Sequence, residues 1–405
     1  RVSGNQIIEY NHMPLWQSVG LIYSTLTVYC GFKVLTGEYK LMGLAPYGRP
    51  KYYDLLHDIF CPTGSLTNIG DINIHSDILK STSLESVLPF KPRNLNDNEI
   101  HQNHADLAAS AQKFLEESVE LILTDYLKDY KSDSHKSLFL GGGVALNCKL
   151  NYVLSKKYKD DFSEVWCYPA SGDAGSSVGA CYNYLINKME LSAEVINSYD
   201  MTASIGAKYE CTEELIEHNM LNSHRIKSND EIDSQLLDRV CEKLSQGQIG
   251  GIYEGKSEFG PRALGCRSII GDPTIASALK AINTKIKNRE DFRPLAPVVL
   301  ESCANDYFVL EKNCNNMYSY MLCLAQSKTN VESTNDQVNF NEVDNSKVII
   351  PKSSNDKRFP AVVHHDGTAR IQILKDDSNL ILATLLKQYK YRYSIGAFRN
   401  SRRCY

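Results

Sequence analysis

Three short stretches of this chain concentrate cations beside glycine and proline. GPRALGCRS (260–268) carries Arg262 and Arg267. KIKNREDFRPLAP (285–297) carries Lys285, Lys287, Arg289 and Arg293. VVHHDGTARIQ (362–372) carries His364, Asp366 and Arg370. Arginine captures phosphate oxygens in pairs, and lysine serves as a point charge. Cations fixed by rigid turns predict a preorganised phosphoanion site. The rival reading is a solvated basic stripe balanced by Glu290 and Asp291.

A second phosphate signal lies just upstream. Gly250, Gly255, Lys256 and Ser257 fit the spacing G-x-x-x-x-G-K-[ST]. In a P-loop the strand ends before the first glycine and a helix begins at the lysine. Here the variable residues include Ile252 and Tyr253, which favour a strand, and Ser-Glu-Phe-Gly-Pro follows the lysine and breaks a helix. The expected structure is a strand ending in a turn at Gly255, with Lys256 a cation on that turn rather than a P-loop lysine.

Two glycine-rich turns complete the inventory. GGGVALN (141–147) follows the apolar run SLFL, and PASGDAGSSVGA (169–180) follows EVWCY. Glycine lets backbone approach a ligand closely, and helix N-termini favour phosphate. Asp173 sits where it caps a helix or holds a cation bridging phosphates. Two tight connections without a ligand are the plainer alternative. Of the ten histidines none forms H-x-x-x-H; His101 and His104 stand three apart and are expected to cap a helix or face solvent.

The elements that position these residues read as α/β. LWQSVGLIYSTLTVYCGF (15–32) has helical spacing, and GEYKLMGLAPYGRP (37–50) is a structured loop or short helix. ADLAASAQKFLEESVELILTDYL (105–127) is the clearest helix, with Leu107, Ala111, Phe114, Leu115, Ile122 and Tyr126 on one face. Strand–glycine turn–helix then occurs twice between residues 137 and 185, the grammar of an α/β fold. A helix from about Leu236 and the strand IGGIYE open a second unit. Residues 327–357 are low in hydrophobics and predict a surface insertion.

Bulk properties narrow the function. The 405 residues allow two or three domains, and a net charge of −4 gives no basic excess for nucleic acid. No run of about 18 apolar residues predicts a membrane span. Twelve scattered cysteines, with no C-x-x-C pair, predict reduced thiols and a cytoplasmic location.

Together GEYKLMGLAPYGRP, LFLGGGVALNCKLN, PASGDAGSSVGA, EFGPRALGCRSIIGDP…NREDFRPLAPVV and VHHDGTARIQ resemble the NodU/CmcH carbamoyltransferases, from about residue 15 to about 390. The resemblance implies the C-terminal half of an ASKHA (actin/Hsp70-like ATPase) domain over residues 1–200, a linker at 201–235 and a YrdC-like α/β domain over 236–405. It implies that carbamoyl phosphate and ATP yield a carbamoyl-adenylate, and that the carbamoyl group passes to a hydroxyl of a small molecule with help from an iron-type divalent metal. The acceptor would be an antibiotic, an oligosaccharide or an alkaloid toxin of secondary metabolism. By motif, Arg262, Lys287, Arg293 and Arg370 correspond to the carbamoyl-phosphate binders. Gly142, Gly143, Asn147 and Gly172 correspond to the nucleotide-contacting turns, and Asp173 to a metal-ligating carboxylate.

Two departures stand out. The family's paired metal-binding histidines lie upstream of the first matching stretch, and its Asn-Thr-Ser-Phe-Asn continuation is replaced by the basic YRYSIGAFRNSRRCY. A product truncated at both ends is the expectation. Nucleic-acid and membrane partners are not expected, and a homodimer stays open. Rival readings are another ASKHA-type ATP-dependent enzyme and a nucleotide-binding remnant without turnover.

Overall fold

The computed structural model describes residues 2–3, 6–9, 12–61, 84–95, 97, 99–129, 136–192, 195, 203–208, 234–328, 356 and 358–402. Most of the expected linker (201–235) and of the expected insertion (327–357) lies outside the described residues, as do the last three residues of the tail. The chain divides into two compact units. One comprises residues 1–134 with 338–351, the other residues 135–337 with 352–405.

The first unit begins with a short hairpin, β1 (Val2–Ser3) and β2 (Gln6–Ile7), and is otherwise helical: α1 (Val19–Tyr29), α2 (Glu38–Leu44), α3 (Tyr53–Phe60) and the long α4 (Gln102–Asp129). Helix α4 buries Leu107, Ala111, Phe114 and Leu115, four of the six residues expected on its apolar face, together with Leu123. Phe114 packs on Phe60 of α3 at 5.8 Å. The turn after α2 is fastened to α4 by backbone contact. A Cβ on Gly48 would lie 1.9 Å from the Ala105 carbonyl oxygen, so only glycine fits there. Asp106 accepts from the Arg49 N–H at 3.0 Å, and Ser110 from the Tyr52 N–H at 2.9 Å.

His104 corrects an expectation. Rather than capping the helix in solvent, it is buried, its Nε2 lies 3.3 Å from the Lys91 carbonyl, and Phe90 meets its ring edge-on. The i, i+3 spacing with His101 reflects one helix face, and that face is turned inward. Burial above all, with the nearby Arg93 charge, pushes its pKa down to about 4, against the pull of the Lys91 carbonyl.

The second unit holds the glycine turns and the cation-rich stretches together. Strands β3 (Ser137–Leu140) and β4 (Glu164–Cys167) pair in parallel, Ser137 opposite Glu164, with α5 (Cys148–Lys157) between them in sequence. Helix α6 (Asp173–Asn187) follows β4. Both strand–turn–helix units thus form as the sequence predicts. Helix α7 (Ser234–Ser245) leads into β5 (Gly250–Tyr253) and β6 (Arg267–Gly271) of a five-stranded sheet. The remaining strands are β7 (Ala296–Leu300), β11 (Gln372–Leu374) and β12 (Ala397–Arg402), in the order β11-β7-β12-β6-β5. Only β11 and β7 run parallel. A smaller antiparallel sheet joins β8 (Phe308–Val309), β9 (Ala325–Ser327) and β10 (Thr368–Ala369).

The divergent tail is not an appendage. Its residues 397–402 are the central strand β12, hydrogen-bonded to β7 on one side and β6 on the other. Ala397 and Phe398 are fully buried, and α8 (Ile381–Tyr393) covers this part of the sheet through Tyr389, whose ring lies 4.7 Å from Phe398 and whose hydroxyl donates to Asp272 at 2.6 Å. No helix among the described residues is long and apolar enough to cross a membrane. Ten described cysteines are free thiols.

The shift at His104 makes a pH prediction. Its folded pKa, about 4, lies below the unfolded 6.5. The unfolded chain therefore takes up a proton that the folded chain refuses, so this contribution is complete above pH 6.5 and is lost as pH falls toward 4. The loss is about 3 kcal/mol, at about 1.4 kcal/mol per pKa unit. Urea denaturation should show that decline between pH 6.5 and 4, and His104→Asn should remove most of it. An unchanged slope in the variant would contradict the assignment.

Candidate active site

The first loop of the site is built around a buried carboxylate. Glu258, 3% exposed, uses Oε1 to accept from the backbone N–H groups of Leu264 (2.8 Å), Cys266 (2.9 Å) and Arg267 (3.0 Å). This folds EFGPRALGCR back on itself. Gln372 donates to the Leu264 carbonyl at 2.9 Å and ties the loop to β11. Gly260 has φ +111°, and a Cβ there would stand 3.0 Å from the Pro169 carbonyl oxygen. The loop therefore lies directly on the PASGD turn.

The two arginines of this loop do different work. Arg267 donates to the carbonyls of Glu254 (2.6 Å) and Gly255 (2.9 Å), and its guanidinium covers the Tyr253 ring at 3.6 Å. It clamps the turn after β5. Arg262 reaches the other way, and its Nη2 donates to the Leu146 carbonyl at 3.3 Å, at the end of the GGGVAL turn. The P-loop pattern dissolves in the same region. Gly250–Tyr253 is strand paired with β6, Gly255 has φ +53°, and no helix starts at the exposed Lys256.

The second loop is built around Asn283, which is fully buried. Its Nδ2 donates to the carbonyls of Asp291 (3.2 Å) and Arg293 (2.9 Å), and its Oδ1 accepts from Arg289 Nε at 2.7 Å. Arg289 also donates to the Pro294 carbonyl at 3.3 Å. Arg293 lies 3.6 Å from the Glu290 carboxylate, beyond close hydrogen-bond contact. Lys287 is half-buried just after the π turn Ile282–Ile286, its N–H bonded to the Ile282 carbonyl at 2.9 Å.

The third loop is His364–Arg370. Asp366 accepts from Lys149 Nζ of α5 at 3.0 Å, and from the Thr368 N–H (3.1 Å) and hydroxyl (2.7 Å). It is ringed by protein yet keeps 27% of its side-chain surface open, as a group lining a cleft does. Burial pushes its carboxyl up. Lys149 foremost, then His364 and the Thr368 hydroxyl, outweigh this and bring the pKa to about 2.

Arg370 shows where the three loops meet. Burial first and then the positive charge of Arg262 press its pKa down to about 9; Cys148 pulls the other way, and Arg289 and Arg293 add smaller downward contributions. At neutral pH the guanidinium stays charged. The charges of three arginines, carried by the two other loops, therefore all act on Arg370 in a partly dehydrated place. Like charges so gathered are unfavourable unless an anion joins them.

The glycine turns border the same place. Gly142 has φ +83°, and nothing lies within 4 Å of where a Cβ would stand on Gly141, Gly142 or Gly143. A Cβ on Gly172 would come 4.0 Å from the Gly143 Cα, so the two turns adjoin. Asn147 caps α5, its Oδ1 accepting from the Leu150 N–H at 3.0 Å. Asp173 is exposed in the first turn of α6. Among the described residues no three or more of His, Cys, Asp or Glu gather as a metal would require. Asp173 alone does not make a metal site.

Sequence reasoning picked out Arg262, Arg293 and Arg370, and in the structure the charges of the first two both act on the third. It missed Glu258, Asn283 and Lys149. A carboxylate directly before Phe-Gly-Pro was the available signal for Glu258. Nothing local marks the other two.

Fold and site together define an α/β protein with several arginines gathered beside two glycine turns. Residues 2–182 match the family described as Carbamoyltransferase N-terminus, and residues 241–401 match Carbamoyltransferase C-terminus. An uncharacterized protein of Synechocystis is 35% identical over 407 residues, covering 98% of this chain and 63% of that protein. Nodulation protein NolNO of Sinorhizobium fredii is 31% identical over 410 residues, covering 98% and 52%. Nodulation protein NolO of Bradyrhizobium diazoefficiens is 30% identical over 413 residues, covering 98% and 65%. The chain belongs to the carbamoyltransferase family, and it spans between 52% and 65% of the length of these relatives.

The hub role of Glu258 is testable. Glu258→Ala leaves three N–H groups without their acceptor, at roughly 1–3 kcal/mol each when they stay dry. A loss of about 3 kcal/mol or more in urea denaturation is expected, with Glu258→Gln losing less because its Oε1 can still accept. A loss below about 1 kcal/mol for Glu258→Ala would show that the loop holds itself by other means.

Proposed function

We propose that this chain forms part of an O-carbamoyltransferase in which the arginine cluster binds carbamoyl phosphate. In this reading the β5–β12 region is YrdC-like, and the segment carrying the two glycine turns is the ASKHA-type part. Carbamoyl phosphate, ATP and water give carbamoyl-AMP, phosphate and pyrophosphate. A hydroxyl oxygen of a small molecule then attacks the carbamoyl carbon, the carbamate ester forms and AMP leaves. The acceptor class is a hydroxylated secondary metabolite or oligosaccharide.

The observation that supports this most is the convergence on Arg370. A dianionic phosphate relieves the mutual repulsion of Arg262, Arg293 and Arg370 and is held by charge-assisted hydrogen bonds. Preformed donors of this kind stabilise charge that develops as the phosphate or pyrophosphate departs. Arg289, bonded to Asn283 and Pro294, adds field rather than reach. The open space over Gly141–Gly143 admits the adenylate phosphates, with backbone N–H groups as donors. Lys287, on the same loop as Arg293, adds a point charge to the phosphate.

Exchange of labelled pyrophosphate into ATP, dependent on carbamoyl phosphate, tests the reading. Arg262→Ala and Arg370→Ala should each lower exchange at least tenfold, since a charged hydrogen bond to phosphate is worth about 1.5–3 kcal/mol. ATP turnover indifferent to carbamoyl phosphate, or variants within about threefold of wild type, would overturn it.

A further inference from the structure

The loop that carries Arg370 also fixes the tautomer of His364. Thr368 has one hydroxyl proton and gives it to Asp366 Oδ1 at 2.7 Å. The Asp366 carboxylate, ionised beside Lys149, can only accept. The Thr368 oxygen that faces His364 Nδ1 at 3.3 Å therefore offers a lone pair, and Nδ1 must carry the ring proton. The loop holds this arrangement by backbone bonds: the His364 N–H donates to the Thr368 carbonyl at 2.7 Å and the Gly367 N–H to the His364 carbonyl at 3.0 Å.

The other ring nitrogen is then bare. Nε2 of His364 is buried and has no hydrogen-bond partner among the described residues. The charged groups around the ring are Asp366, Arg370 and Lys149. Burial, with Arg370 and Lys149 opposing the pull of Asp366, holds the imidazole neutral, with a pKa near 4. A dry lone pair beside cations cannot be satisfied by their N–H groups as placed, and it calls for a donor brought by a ligand.

We propose that His364 Nε2 accepts a hydrogen bond from the amide NH2 of the carbamoyl group, and so selects carbamoyl phosphate over acyl phosphates that lack an N–H. This rests on the reading of the arginine cluster as the phosphate site. The Arg370 charge acts on the ring, so a phosphate held by Arg370 and its neighbours brings the amide of the same small molecule toward Nε2. Acetyl phosphate has the same charge and nearly the same shape but offers a methyl group there, leaving Nε2 unsatisfied. Sites built around a substrate N–H reject the analogue without it far more strongly than apolar pockets reject a change of size.

Calorimetric titration of the purified chain with carbamoyl phosphate, acetyl phosphate and inorganic phosphate tests this. Wild type should bind carbamoyl phosphate at least about tenfold more tightly than acetyl phosphate. In His364→Ala the ratio should fall to within about threefold, with inorganic phosphate affinity changed less than about threefold. His364→Gln, whose Oε1 can accept, should restore part of the preference. Selective 15N-histidine spectra of wild type supply a readout independent of any variant's folding: an unprotonated Nε2 whose signal moves with carbamoyl phosphate and not with acetyl phosphate. A wild-type ratio near one, a protonated Nε2, or a preference kept in His364→Ala would overturn the assignment while leaving the phosphate site standing. Failure of wild type to bind even inorganic phosphate would remove the arginine reading, and this inference with it.

Discussion

The gathering of half-buried guanidinium groups from three loops around Arg370 is the constraint around which the second unit is arranged. Burial above all, and then the charge of Arg262 with smaller contributions from Arg289 and Arg293, makes Arg370 hold its proton less tightly than arginine normally does. Such a cluster does not assemble by its own attraction. Each cation is carried in by a loop whose shape is fixed by a separate polar hub: Glu258 for residues 258–267, Asn283 for 283–294 and Asp366 for 364–370. The acceptors at these hubs are spent largely on backbone N–H groups, a threonine hydroxyl, Arg289 and Lys149.

The glycines serve the same end by close approach. Gly260 rests on Pro169 and Ala170, and Gly175 packs where a Cβ would be 2.2 Å from the Ala170 carbonyl oxygen. These contacts weld the turn after β4 to the loop of Arg262. The Leu146 carbonyl that Arg262 reaches lies 116 residues earlier in the chain. Lys149 and Asp366, 217 residues apart, make a second tie between the glycine-turn segment and the cation loops.

Much of this was legible in the sequence where the cause is local. Ile252 and Tyr253 are enough to show that the G-x-x-x-x-G-K-S match runs through a strand. The two strand–turn–helix units and the amphipathic α4 follow from their own periodicity. What was not legible depends on distant partners. Arg262 and Arg267 look alike in GPRALGCR, yet one clamps its own turn and the other crosses to Leu146. His104 looks like an exposed cap until α4 is packed. The basic tail looks foreign, yet backbone pairing does not read side-chain charge, and AFRNSR takes the centre of the five-stranded sheet.

The convergence itself can be observed directly. Crystals of the chain grown with tungstate, a tetrahedral dianion with strong anomalous scattering, should show one dominant anomalous peak within hydrogen-bonding distance of Arg262, Arg293 and Arg370. Guanidinium groups turned away from one another, with tungstate scattered over the surface or absent from their midst, would contradict a shared anion site.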